Sequence, residues 1–212
     1  MRIALAIAGI LTLGLCWLGP LPHLAQSAFF AHMLMHMTVV AVGAGLLALA
    51  IAGTRWDPVP KAPKLFSPII ASLVELVIVW TWHAPGLHHM ARHGTLGFLA
   101  EQGMFLLCGL WLWLSAFGGE SPRSGARAAS GVIGLLLTSM HMTVLGALLI
   151  FATRPLYEHA HSHGMELDPL FDQQLGGAIM ILVGGATYLA GGLWLTANLL
   201  RGSEVELQNK AI

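Results

Sequence analysis

The sequence predicts an all-α, polytopic membrane helix bundle of about six transmembrane helices with both termini cytoplasmic, forming a single membrane domain over 1–212. Three observations carry this prediction. Only 9% of the residues are charged and 56% are hydrophobic, with a mean hydropathy of +0.74, whereas a soluble domain carries about 25% charged residues. Six apolar runs, 3–19, 30–53, 66–82, 95–117, 131–152 and about 169–200, reach or approach the ~20 residues that span a bilayer. Alternating these runs from a cytoplasmic start places Arg2, Arg55, Lys61, Lys64, Arg123, Arg127, Arg201 and Lys210 inside, with only Arg92 and Arg154 outside. That asymmetry is the one the positive-inside rule demands.

Each element has a local reason. The first run, 1–19, reads as a retained helix closed by Gly19-Pro20. A cleaved signal peptide is the alternative, given Arg2 and the small residues Ala25 and Ser27. The segment 55–67 holds Pro58, Pro60, Pro63 and two lysines and reads as a stiff polar loop; 118–130, with Ser, Gly and Arg, reads as a second. Pro85 ends the third run just beyond His83. Asp168-Pro169 has the form of an N-cap followed by proline at the first helical position. On the last run Gly177, Gly184 and Gly191 recur every seven residues, a seam along which helix backbones can approach closely. The core is 30–200, and 201–212 is a cytoplasmic tail.

Acidic and basic residues balance at 10 each, so no global charge points to nucleic acid. Cys16 and Cys108 lie alone in separate runs with no CxxC, which argues against a thiol metal or redox site. The anomaly is histidine: the 11 imidazoles outnumber either charge class. His23, His88, His89, His93, His159, His161 and His163 fall in the outer loops of the predicted topology. His32 and His36 lie in the first turns of the second helix, His83 ends the third, and His141 sits near the middle of the fifth. The cytoplasmic half receives none.

Helical spacing puts His32, Met35 and His36 on one stripe, and Met140-His141-Met142 forms a second His–Met cluster. Imidazole and thioether together suit a soft ion, Cu(I) first. The candidate metal ligands are therefore His32, Met35, His36, His83, Met140 and His141, with Met33, Met37, Met104 and Met180 read as packing. His159, His161 and His163 alternate in an outer loop and form an auxiliary capture tract for Cu(II) or Zn(II). Glu75 and Glu101 are carboxylates at membrane depth, costly unless functional, and are read with Asp172 and Gln173 as polar support.

Several stretches together resemble the Bacillus-type membrane family of cytochrome c oxidase assembly factors, CtaG. They are Ala31-His32-Met33-Leu34-Met35-His36-Met37, Trp80-Thr81-Trp82-His83-Ala84-Pro85-Gly86-Leu87, Met140-His141-Met142-Thr143-Val144-Leu145-Gly146-Ala147-Leu148-Leu149, Arg154-Pro155-Leu156-Tyr157 and Asp168-Pro169-Leu170-Phe171-Asp172-Gln173-Gln174-Leu175-Gly176-Gly177. The resemblance implies an all-helical membrane protein that matures haem–copper oxidases, with copper supplied to the catalytic subunit. Two departures stand out. The family tends to seven helices, and Glu101-Gln102 stands where many members carry Glu-His, so that this site has one ligand fewer or uses Met104.

The functional expectation is an accessory protein of the bacterial inner membrane rather than an enzyme. It binds copper on its outer side, from a periplasmic donor, and passes it to the oxidase catalytic subunit. A membrane b-type haem cytochrome and a CopD-like copper permease remain as alternatives.

Overall fold

The computed structural model describes residues 1–119, 125–157 and 167–210, with side chains described as far as Arg201. Every regular element among them is helical. Four helical stretches are continuous, apolar and long enough to cross a bilayer, and two further pairs of helices are each bent at a short break. The described residues thus hold four candidate spans, or six if each bent pair counts as one, in a multi-pass helical bundle.

Proline chemistry sets the breaks. α1 (Arg2–Leu18) and α2 (Leu21–Ser27) meet at 47° because Gly19 is extended before Pro20, as the residue preceding proline prefers. The second span, Phe29–Ile51, consists of α3 (Phe29–Met37), a π-helical stretch (Thr38–Gly43) and α4 (Ala44–Ile51). α5 (Pro68–Trp82) opens on a proline and stops at His83, and α6 (Pro85–His93) leaves it at 75°. Pro85 thus ends one helix and begins the next, since the first helical position has no use for an amide N–H. α7 (Thr95–Phe117) and α8 (Gly125–Ile150) follow. The last span joins α9 (Pro169–Ile179), a second π-helical stretch (Met180–Gly184) and α10 (Gly185–Lys210). Asp168 caps α9 by accepting from the Phe171 amide at 3.1 Å, with Pro169 at the first position, as its sequence predicts.

Two boundaries differ from the sequence expectation. α8 starts at Gly125, inside the predicted loop 118–130, because Ala128 and Gly131 pack inward and extend the helix past its apolar run. The segment bearing His88, His89 and His93 is helical rather than a loop. Arg123 and the tract His159, His161 and His163 lie outside the described residues.

α8 packs against α5, α7, α9 and α10, while α3 lies on α9 and α1 on α4. The glycine seam of the last span is used unevenly. Gly177 meets the Gly146 backbone of α8, Gly176 faces Phe29 and Met33, and Gly191 faces Trp113, whereas Gly185 and Gly192 look onto open space.

The two ends of the bundle are tied differently. At one end Asp57 accepts from the amides of Gly53 (2.7 Å), Val59 (2.9 Å) and Gly119 (2.8 Å), pinning the first polar loop to the end of α7. At the other end, which carries the buried histidines, Asp172 of α9 accepts from the amides of Phe29 (2.7 Å) and Phe30 (2.9 Å). Those are unpaired donors of the first turn of α3, satisfied by a carboxylate from another span. Asp172→Ala is expected to lower stability by roughly 2–3 kcal/mol, since two buried donors lose a charged acceptor. Asp172→Asn should lose less, because an amide oxygen remains. Unfolding in mixed detergent micelles checks both values.

Candidate metal site

α3 begins where Asp172 fixes it, so its first turns present a set position to the neighbouring spans. His32 and His36, one turn apart, both reach inward and are buried. Their ring centroids are 4.1 Å apart. From α7 comes Glu101, fully buried, with Oε1 3.2 Å from His32 Nε2 and Oε2 3.0 Å from His36 Nε2. The first contact has hydrogen-bond geometry. The second does not: both ring nitrogens of His36 are buried without a hydrogen-bond partner. One donor atom from each of the three residues lies within 4.8 Å of the other two.

Supports surround the carboxylate. Gln102 Nε2 donates to Glu101 Oε2 at 3.2 Å, and Trp17 Nε1 of α1 donates to Gln102 Oε1 at 3.1 Å. Gln102 thus holds Glu101 in place, while Met104 is turned elsewhere: its sulfur accepts from Trp82 Nε1 at 3.4 Å. Phe105, one turn along α7, closes the site beside His36 at 4.5 Å between centroids.

His83 stands next to this group, its ring centroid 5.7 Å from that of His36. Its Nδ1 lies 2.7 Å from the Val79 carbonyl, and its Nε2 faces Met33 Sδ at 3.3 Å. If Nδ1 carries the proton and donates to Val79, the neutral ring turns a lone pair at Nε2 toward a thioether that also has only lone pairs to offer. The Tyr157 hydroxyl donates to the His83 carbonyl at 2.9 Å. Burial pushes that hydroxyl up to about 12, which keeps it a donor. Gln173 anchors the segment carrying Tyr157, accepting from the Leu156 amide (2.7 Å) and donating to the Leu149 carbonyl (3.2 Å).

Of the predicted ligands, the structure brings together His32, His36 and His83. Met35 is buried on α3, and its carbonyl accepts from Cys16 Sγ at 3.7 Å. Met140 is 61% exposed on the outside of α8 and takes no part. His141 is buried with both ring nitrogens unpartnered, and it contacts none of the other imidazoles among the described residues. Glu75 belongs elsewhere: it accepts from the Tyr188 hydroxyl at 3.1 Å and lies 3.2 Å from Thr138 Oγ1. Eight residues before His83 on the same helix line, it is about 12 Å away along the axis.

Two contributors were missed at the sequence level. Met33 supplies the thioether at His83. His88 of α6 is buried at 4.7 Å from His32 and 4.4 Å from Tyr157 between ring centroids, with both nitrogens unpartnered. The signal for His88 was Pro85, which predicts a helix start as well as a stop.

The donor set fits a metal ion. Two imidazoles and a carboxylate converge, His36 meets that carboxylate at 3.0 Å without hydrogen-bond geometry, and an imidazole–thioether pair adjoins them. Nitrogen and oxygen donors accept divalent first-row ions, and the thioether adds a preference for Cu(I).

A family model described as cytochrome c oxidase caa3 assembly factor (Caa3_CtaG) matches residues 1–202. Neither the curated proteins nor the solved structures yield a match to this chain.

Added Zn²⁺, used as a probe of the nitrogen–oxygen donors, is expected to raise the melting temperature of the purified protein, since binding the native state stabilises it. His36→Ala or Glu101→Gln should abolish most of that rise, and Met140→Leu should leave it intact. Thermal unfolding with and without the ion checks this.

Proposed function

The chain belongs to the cytochrome c oxidase caa3 assembly factor family, and from that premise we propose that it handles the copper of oxidase assembly. In this reading it is an accessory protein of the bacterial cytoplasmic membrane, not an enzyme, with its histidine end facing outward. Copper from a periplasmic donor enters past His88, is held among His32, His36 and Glu101, and is passed to the copper centre of the oxidase catalytic subunit.

The observation that carries the reading is the pairing of two donor sets across His36. The nitrogen–oxygen set of His32, His36 and Glu101 accepts either oxidation state of copper, and His83 with Met33 selects Cu(I). An ion at this boundary can exchange ligands without leaving the protein, which suits transfer better than storage. Orientation draws support from charge: of the described basic residues, Arg2, Arg55, Lys61, Lys64, Arg127 and Arg201 belong to the segments opposite the histidines, against Arg92 and Arg154 on the histidine side, an excess that the positive-inside rule assigns to the cytoplasmic face. In this proposal the tract His159, His161 and His163, which lies outside the described residues, serves as an auxiliary capture element.

A haem between these histidines has less support. The His32 and His36 rings are edge to face at 4.1 Å, and a buried carboxylate lies against both. A porphyrin plane does not pass between rings so close.

His36→Ala and His83→Ala strains are expected to assemble the oxidase catalytic subunit at ordinary levels but with its copper depleted several-fold and its activity reduced in proportion. Metal analysis of the purified oxidase checks this. Full copper occupancy in both strains would contradict the proposal.

A further inference from the structure

The end of the bundle away from the histidines holds a crevice of about 1030 Å³ that the copper reading does not use. It opens between α1, α4, α7 and α10. Its size lies at the upper end of the range for small-molecule sites. The interior is apolar, walled by Trp113, Phe117, Ala190 and Trp194, while Arg2 and Arg55 stand at its rim.

The wall is built rather than incidental. The Trp113 ring sits between Gly45 and Gly191, where an added Cβ would come within 3.1 Å and 2.9 Å of the indole. Stacking on Phe117 (5.5 Å) and Tyr188 (5.6 Å) fixes its remaining sides. Arg2 Nη1 donates to the carbonyl of Gly53, another lining residue, at 3.2 Å. Arg55 lies 5.0 Å above the Trp56 ring. Among the described residues no carboxylate pairs with either arginine; the ion pairs found are those of Glu101.

An apolar interior closed by two uncompensated cations matches an amphiphile with an anionic head. We propose that the crevice binds an anionic phospholipid, with its phosphate between Arg2 and Arg55 and an acyl chain along Trp113, Phe117 and Ala190. Basic pockets between transmembrane helices recognise acidic lipid headgroups in this way. A free anion would leave the apolar interior unused. A partner's transmembrane helix would need a groove along the full height of the bundle, whereas this one is confined to the arginine end.

The test is native mass spectrometry of the full chain in detergent, titrated separately with phosphatidylglycerol and phosphatidylcholine of identical acyl chains. Phosphatidylglycerol is expected to bind at least tenfold more tightly. Each of Arg2→Gln and Arg55→Gln should weaken it about fivefold, and the double variant about 25-fold, from the ~1 kcal/mol each basic residue contributes near a membrane surface. Both arginines are exposed, so neither substitution threatens the fold. Ala190→Trp, which places an indole in the path of the acyl chain and leaves the arginines, should weaken retention of either lipid several-fold. Equal binding of the two lipids by the unaltered protein, or an undiminished preference in the double variant, would overturn the proposal. So would a photocrosslinker at position 190 that captures an oxidase polypeptide in membranes rather than lipid.

Discussion

A carboxylate placed inside a membrane bundle dictates what stands around it. Glu101 is fully buried, and a polar group there is tolerated only when its lone pairs are occupied. His32 and His36 from α3 take one side of it, and Gln102, held by Trp17 of α1, takes part of the other. Three spans are thereby fixed in relative height and rotation by one side chain. The remaining polar devices at this end serve the same placement. Asp172 fixes where α3 begins, and Tyr157 and Gln173 fix where α5 ends. Apolar packing alone would not fix this register, because lipid and leucine offer helices little preference for one register over another.

The π-helical stretches belong to the same design. The first follows His36 by two residues, and the second ends at Gly184, where an added Cβ would sit 3.5 Å from Met37 Sδ. A π-turn inserts an extra residue, and wide turns of this kind gather at functional sites. Each one advances the helix face by about 100°. Before Thr38 the span turns His32 and His36 toward Glu101 of α7, and after it Gly45 faces Trp113 farther along the same helix, so the π-helical stretch lies between two contacts with α7. One span carries His32 and His36 of the candidate site at one end and part of the crevice wall at the other.

Much of this was legible in the sequence, for reasons that differ by residue. The spans followed from apolar length, and the start of α9 from Asp168-Pro169. The His32–His36 pair followed from helical spacing alone. What spacing cannot supply is the rotation of one helix against its neighbours. In Met140-His141-Met142 the outer methionine looks as well placed as the inner one, yet packing of α8 on α5 and α9 turns Met140 outward and Met142 inward. In the first motif, adjacency favoured Met35 as the thioether donor, while the approach of α5 selected Met33. Glu101 was marked as costly, but only the register of α7 against α3 brings its carboxylate to 3.2 Å and 3.0 Å from His32 and His36. His88 was placed in a loop because Pro85 was read as a stop alone.

In the function proposed above, copper sits where the nitrogen–oxygen donors of α3 and α7 meet the thioether of Met33. X-ray absorption at the copper edge, on the purified protein loaded with one equivalent of Cu(I), reports that ligand set directly. The account predicts mixed nitrogen and sulfur scattering, with the sulfur shell lost in Met33→Leu and unchanged in Met140→Leu. A spectrum with no sulfur, or one that Met33→Leu leaves unaltered, would contradict it.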